Sequence, residues 1–146
     1  MSDYCLSNNL TSGAGCTAGS RGQSFIPTGT ADLTKIEVDI SNINTPGDWT
    51  LNIHNGVGVG GAILGSQNVV VLSVGTPSVT LSTTIPVISG QIYTFNFTST
   101  GGANACFSHQ NPQSYMDGNM YIDNVGNGSL DMNFAIYLDA SWFNFH

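Results

Sequence analysis

The stretch Gln91–Thr98, QIYTFNFT, decides the fold of this 146-residue chain. Large apolar rings alternate along it with small polar side chains. Because successive side chains of a β-strand point to opposite faces, this period of two predicts a half-buried strand. The inward set is Tyr93, Phe95 and Phe97, and the outward set is Thr94, Asn96 and Thr98.

The same alternation recurs on both sides of this strand. In Leu33–Ser41, apolar residues alternate with charged ones, and turn residues such as Pro46 and Gly47 separate the segments. No segment has convincing helical periodicity. The pattern predicts an all-β, antiparallel two-sheet sandwich, jelly-roll-like, with about nine strands. Further inward residues are Ile36, Val38, Ile40, Trp49, Leu51, Ile53, Leu130, Met132, Phe134, Ile136 and Leu138.

The length suits one domain with one core. Residues 1–21 are rich in Gly, Ser, Thr and Asn without periodicity, so we expect an irregular N-terminal arm. Residues 22–139 contain the predicted strands and form the sandwich domain. Residues 140–146 form an apolar C-terminal tail.

The charge balance excludes several partners. Arg21 and Lys35 are the two permanent cations against nine acids, which gives a formal net charge of -7. Nucleic acids and anionic membrane surfaces both require several cations, so neither is an expected partner. No apolar run of about 20 residues is present, so no transmembrane helix is expected. A surface of neutral polar groups indicates an extracellular, cell-surface or virion-surface protein.

The three cysteines are odd in number, so at least one thiol is free or pairs between chains. Cys5 and Cys16 flank a flexible loop and are the candidates for a disulfide that closes a small N-terminal ring. The alternative is three reduced cysteines, with Cys106 as a small buried apolar residue.

Metal ligands are sparse in the sequence. There is no CxxC pair, and the three histidines are widely scattered, so a zinc-type site is not expected. Asp117, Asp123 and Asp131 lie in or beside predicted loops and are weak candidates for a structural calcium ion. The alternative is ordinary turn chemistry, in which Asp hydrogen-bonds its own backbone. No other cofactor is expected.

Gly56, Gly58 and Gly61 match the spacing of a dinucleotide-binding GxGxxG motif. That motif requires a following helix whose N-terminus holds the pyrophosphate. Here more β-like sequence follows, so we interpret the glycines as a connection between strands.

Catalytic patterns are also missing. The chain has no GxSxG nucleophile elbow, and Glu37 and Asp39 share the solvent face of one strand as solubilising charges. The sequence therefore predicts no enzymatic activity.

The long polar loop Ser108–Gly118 is the candidate ligand site. Sugar binding combines an aromatic ring with a few convergent amide and carboxylate groups. This loop offers such groups in His109, Gln110, Asn111, Tyr115 and Asp117. The alternative is a packed loop that Tyr115 anchors.

Three large aromatic residues crowd the C-terminal tail, and exposing them to water is costly. These residues are Trp142, Phe143 and Phe145. The tail either packs back on its own domain or docks into a neighbouring subunit.

Several runs together resemble a β-sandwich module that is widespread in bacterial secreted and surface-anchored proteins, often beside adhesive or carbohydrate-active domains. The resemblance covers roughly residues 23–139 and implies a fold, but no catalytic residues. The runs are Gln23–Phe25, Leu33–Val38, Gly47–Ile53, Gly90–Phe95, Asn111-Pro112, Gly118–Tyr121 and Leu130–Phe134.

Two functions fit these observations. The first is a non-catalytic surface or structural subunit that self-associates or joins a larger particle, such as a virion decoration or fibre protein or a cell-surface filament. The alternative is an extracellular glycan-binding or adhesive module, which the resemblance and the loop Ser108–Gly118 favour.

Overall fold

A computed structural model describes residues 13–69, 72–110, 115 and 117–139, together with the backbone of residues 3–8. The described residues form strands, turns and loops without any helix, so none of them provides a helix that is long and apolar enough to cross a membrane. The strands are β1 Asp3–Asn8, β2 Gly13–Thr17, β3 Ser20–Phe25, β4 Ala31–Val38, β5 Ile40–Thr45, β6 Asp48–Asn55, β7 Ile63–Val69, β8 Ser78–Val87, β9 Tyr93–Thr100, β10 Asn104–Gln110, β11 Met120–Ile122, β12 Val125–Asn127, β13 Asp131–Met132 and β14 Phe134–Asp139.

The strands pair into three antiparallel sheets. The largest has six strands in the order β12-β11-β3-β9-β6-β7, and a second has four in the order β1-β14-β4-β8. The third is centred on β10, which pairs with β2 on one side and with β5 and β13 on the other.

The two smaller sheets are joined by unbroken chain. Asp39 alone separates β4 from β5, and Asn133 alone separates β13 from β14. Hydrogen bonds continue across both junctions: the Ser108 N–H donates to the Asp39 carbonyl at 2.9 Å, and the Asn133 N–H donates to the Ser108 carbonyl at 3.0 Å.

Aromatic contacts connect the large sheet to the smaller ones. The Trp49 ring of β6 meets the Phe107 ring of β10 edge to face, with centroids 5.4 Å apart. The Phe95 ring of β9 lies 5.7 Å from that of Phe134 on β14. Each such buried side chain contributes about 1.5–3 kcal/mol relative to an exposed one. The predicted inward residues of β4, β6, β9 and β14 are buried in this one cluster.

The all-β, antiparallel prediction is therefore confirmed, but the predicted count of about nine strands is wrong. Fourteen strands are present among the described residues. Two predicted strands are each divided by one residue, at Asp39 and at Asn133. Another strand, β12, is too short to show a periodic pattern, and β1 and β2 lie in the range predicted as an irregular arm.

The prediction of an irregular arm over residues 1–21 is wrong for the described part of that range. β1 pairs with β14, β2 pairs with β10, and β3 begins at Ser20. Glycine in β2 has a packing role that periodicity does not reveal: a Cβ at Gly13 would lie 3.0 Å from the His109 ring, and one at Gly15 would lie 3.3 Å from the Arg21 guanidinium. The predicted boundaries at 22 and 139 stay predictions.

The predicted Cys5–Cys16 disulfide is also wrong, because Cys16 is bonded to Cys106. Antiparallel pairing of β2 with β10 places these two cysteines directly opposite each other. Cys5 lies in β1, where its backbone faces Tyr137 of a different sheet. A disulfide requires two cysteines whose Cα atoms lie close together. Here the pairing of β2 with β10 brings together two cysteines that are 90 residues apart in the sequence.

Candidate functional site

Tyr115 of the predicted ligand loop is built into the fold. Its ring packs edge to face on Phe134 with centroids 5.4 Å apart, and its hydroxyl accepts a hydrogen bond from the Ile26 N–H at 2.9 Å. Its own N–H donates to the Asp131 carboxylate at 2.6 Å. These contacts agree with the alternative in which Tyr115 anchors a packed loop.

The other loop candidates lie in different environments. His109 and Gln110 are the last residues of β10, opposite Met132 and Asp131 of β13, and both are half-buried. Asp117 is exposed in a turn, and Asn111 lies outside the described residues. The structure therefore does not gather these side chains around one described cleft, and glycan binding by the set stays a prediction.

His109 faces a cationic neighbour. Burial lowers the pKa of its imidazole, and the positive charge of Arg21 lowers that pKa further. Its Nδ1 is buried and has no hydrogen-bond partner among the described residues. The neutral ring is therefore the favoured form near neutral pH.

Arg21, one of the two permanent cations, is buried inside the fold. It follows the inward period of β3, two residues before Gln23. Its guanidinium donates to the Ser20 and Cys16 carbonyls at 3.0 and 3.3 Å and lies 3.6 Å from the Asp123 carboxylate. Burial lowers the pKa of Arg21, and Asp123 partly opposes that change. The sequence analysis did not predict this position, although the alternation of Arg21 with Gln23 and Phe25 along β3 would have indicated it.

Asp131 is completely buried, and it accepts hydrogen bonds within the core. The Gln23 side-chain amide donates to it at 2.8 Å, and the Gln23 oxygen in turn accepts the Met132 N–H at 2.9 Å. This exchange connects β3 of the large sheet to β13. A buried carboxylate is stable when donors satisfy its oxygens, as they do here.

Asp123 organises a tight hairpin. Asp123 and Asn124 form the two-residue turn between β11 and β12, and both have positive φ, 49° and 72°. This is the backbone of a type I′ turn, in which Asn and Asp are favoured. The Asp123 carboxylate accepts hydrogen bonds from the Ser20 N–H at 3.0 Å and the Thr17 hydroxyl at 3.2 Å.

The three calcium candidates are thus in three settings: Asp117 in an exposed turn, Asp123 in the hairpin and Asp131 in the core. Within the described part of the chain, no group of three or more His, Cys, Asp or Glu side chains converges as a metal site requires. A structural calcium ion stays an untested expectation.

The glycine-rich segment connects β6 to β7, which confirms the interpretation as a strand connection. Gly56 and Gly58 both have φ of 84°, which favours glycine. The Gly58 N–H donates to the Thr94 hydroxyl at 2.8 Å, and that hydroxyl donates to the Gly56 carbonyl at 2.9 Å. The connection therefore covers the outer face of β9.

This cover changes the predicted exposure of β9. Thr94 and Asn96 point away from the core as predicted, but both are buried rather than solvated. The Asn96 amide donates to Asn124 of the hairpin at 3.3 Å. Alternation identifies the face of a strand, but it does not reveal what a distant loop places over that face.

The strands β7 and β8 lie at one side of the molecule and form what we call the β7–β8 edge, residues 63–69 and 78–87. Each is the last strand of its sheet. A groove between them is lined by residues of both strands, among them Leu64, Ser66, Gln67, Leu81 and Ile85. On β7, Ile63 is 56% exposed and Leu64 is 42% exposed.

Gln67 joins the two strands of this edge. Its amide donates to the Thr80 carbonyl at 3.1 Å, and its oxygen accepts the Ser82 N–H at 2.9 Å. The β8 strand departs from regular pairing with β4 at this place. Sequence analysis missed Gln67, because one Gln in a polar strand carries no distinguishing signal. The predicted interface residues Trp142, Phe143 and Phe145 lie outside the described residues.

Comparison with known proteins gives a likeness of fold. No protein-family model matches the sequence, and no curated protein matches it. The structure is similar to that of the cysteine protease and lectin-like domains of Cwp84, a surface layer associated protein of Clostridium difficile, with a TM-score of 0.53 and 7% identity over 82% of this chain. A structure of the infectious bursal disease virus Gx strain matches over 94% of this chain with 12% identity, but its TM-score of 0.36 is too low to indicate a shared fold.

The chain spans about a third of each of these two structures, 32% and 36% of their lengths. At 7% identity, the likeness to the Cwp84 domains concerns the fold alone. The comparisons thus support a β-rich module without assigning it to a family.

Proposed function

We propose that this protein is a non-catalytic surface or structural subunit that assembles into a larger particle, such as a virion decoration or fibre protein or a cell-surface filament. The observation that carries the proposal is the β7–β8 edge. Sheet edges are templates for association, and natural proteins protect them with charges, proline or covering segments. On β7, apolar side chains are exposed instead.

The architecture that supports this role is a jelly-roll-like sandwich of two layers. The six-stranded sheet is one layer, and the two joined smaller sheets are the other. The Trp49–Phe107 and Phe95–Phe134 contacts bridge the two layers. In such a sandwich the core holds the sheets together, and edges and loops remain for contact with neighbours.

The non-catalytic assignment is supported by the structural roles of two acidic side chains, buried Asp131 and exposed Asp123. Asp131 accepts hydrogen bonds from Gln23 and Tyr115, and Asp123 holds a hairpin against β3. These carboxylates are engaged in joining strands.

An extracellular, cell-surface or virion-surface location is supported by the disulfide between Cys16 and Cys106. Disulfides persist in oxidising compartments and are rare in reducing ones. The scarcity of cations agrees with a surface exposed to solvent rather than one that binds nucleic acid.

The mass of the purified native protein, measured by light scattering, tests the proposal. We expect a defined oligomer, and we expect deletion of residues 140–146 to lower its mass, because the aromatic tail is the predicted docking element. A monomeric wild-type protein at high concentration would contradict assembly. An unchanged mass after the deletion would contradict the role of the tail.

The second candidate is an extracellular glycan-binding or adhesive module. It is favoured by the position of half-buried Gln110 and exposed Asp117 and by the fold likeness to a chain with lectin-like domains. A glycan array with wild-type protein tests it, and Asp117→Ala is the informative variant. Tyr115 is a poor probe, because its truncation would remove contacts that hold the fold. An array without hits would exclude this candidate.

A further inference from the structure

We propose that two copies of this chain dock through β7, with the two strands antiparallel, so that their six-stranded sheets join into one continuous sheet. This inference rests on the proposed assembly function and names the surface and the partner. The partner is a second copy, and the contact is an isologous strand pair centred on Ser66.

The first argument is the distribution of charge. Asp48 and Asp117 are separated by a long segment without Asp, Glu, Lys or Arg, and β7 and β8 both belong to it. Two molecules that each carry a formal net charge of -7 repel each other. They approach most readily through a face that bears no charge, and the β7–β8 edge is such a face.

The second argument is that β7 lacks charge and proline, two common kinds of edge protection; its pairing with β6 does shift register between Ile53 and His54. Among the described strands, it pairs with β6 alone. Its sequence, ILGSQNV, contains no charge and no proline. Lysine, proline and other charges are the common devices that keep an edge from pairing with another chain.

The third argument selects β7 over its neighbour. The Gln67 side chain already occupies the backbone carbonyl of Thr80 and the N–H of Ser82 on β8. β8 also contains Pro86, which has no N–H to donate. At the opposite edge of the large sheet, β12 has three residues, so it offers a short pairing surface.

The symmetry of the pair fixes its centre. A two-fold interface uses the same residues on both copies, so one residue of the strand must face itself. The middle residue of the seven in β7 is Ser66, and it is exposed. In this register, exposed Ile63 of one copy lies opposite Val69 of the other, which shields an apolar side chain from water.

Introducing a charge at Ser66 tests the pairing by light scattering. We expect Ser66→Lys and Ser66→Asp each to lower the mass about two-fold, because like charges directly opposite each other destabilise a strand pair. An equimolar mixture of the two variants should restore the wild-type mass, since opposite charges then face each other. The matched control is Thr45, an exposed residue of β5 in another sheet, changed to Lys and to Asp. These controls should keep the wild-type mass.

The proposal is overturned if the Ser66 variants keep the wild-type mass, if their mixture fails to restore it, or if the Thr45 variants lower it equally. Thermal unfolding of each variant excludes loss of folding as the cause. A tail deletion that dissolves the oligomer while both Ser66 variants leave it intact would overturn β7 docking and leave the assembly function standing. A wild-type monomer would overturn both.

Discussion

At the scale of single residues, the polar side chains of this protein act mainly inside the fold. The Asp131 carboxylate accepts hydrogen bonds from the Gln23 amide and the Tyr115 N–H, and the bond from Gln23 links β3 to β13. In the sequence, Asp131 and Tyr115 were candidates for calcium and glycan binding. Burial changes their interpretation, because a buried polar group without a partner costs free energy and a satisfied one holds its neighbours in position.

Replacing Asp131 tests this role. We expect Asp131→Ala to lower the free energy of unfolding by about 2–4 kcal/mol, because the Gln23 amide and the Tyr115 N–H would lose a buried acceptor. The exposed residue Asp117 provides the control, and Asp117→Ala should change stability by less than about 0.5 kcal/mol. Urea unfolding of both variants measures the difference, and equal effects would contradict the structural role of Asp131.

His109 makes a second prediction at this scale. In the unfolded chain its imidazole titrates near pH 6.5, and in the folded protein burial and Arg21 lower its pKa. As the pH falls through about 6.5, the unfolded state takes up a proton that the folded state resists, so stability is present above this pH and is lost below it. We expect the stability of His109→Gln to fall less than that of the wild type between about pH 7.5 and pH 5.5. Parallel urea titrations that give equal slopes would contradict this account.

At the scale of elements, the first two strands owe their positions to partners far along the chain. β2 is glycine-rich and lacks a periodic pattern, but it lies along β10 and is bonded to it through Cys16 and Cys106. Cys16 is exposed and Cys106 is buried, so a reductant can reach one end of the bond. The disulfide thus holds an edge strand in place.

Loss of this disulfide should weaken the fold. We expect Cys16→Ser, or reduction of the wild type, to lower the free energy of unfolding by about 2–4 kcal/mol, because a loop of 90 residues is no longer closed in the unfolded state. Urea unfolding with and without reductant measures it. Cys5→Ser is the control and should respond to reductant as the wild type does. A reductant response that depends on Cys5 instead would refute the pairing.

At the scale of the whole molecule, charge is unevenly distributed over an acidic protein. The strands from β6 to β10 contain one charged residue, Asp48, and form a nearly neutral part of the surface and core. The proposed association of two such molecules would combine contact at the neutral edge with repulsion between the remaining acids. Salt acts on the repulsion and leaves the neutral contact nearly unchanged.

Assembly should therefore strengthen with ionic strength. We expect the dissociation constant of the oligomer to fall as salt rises from about 0.05 M to about 0.5 M, because screening shortens the range of repulsion between the acidic copies. Sedimentation or light scattering over a concentration series measures it. If salt instead dissolved the oligomer, ion pairs would hold the copies together, and the neutral contact would be the wrong explanation.

The sequence by itself determined what depends on neighbouring residues. Alternation in β4, β6, β9 and β14 identified the strands and their inward residues, because side-chain direction in a strand repeats every two residues. The glycine pattern between β6 and β7 identified a connection, because no helix-like sequence followed it.

Tertiary structure alone decided which distant segments meet. It paired Cys16 with Cys106, ordered the glycine-rich β2, covered Thr94 and Asn96, and buried Asp131 beside Gln23. None of these outcomes has a local signal, because strand partner and register depend on contacts between residues far apart in the chain. Periodicity in the sequence indicates the face of the strand to which a side chain points, and the pairing of distant strands determines which residues that side chain contacts.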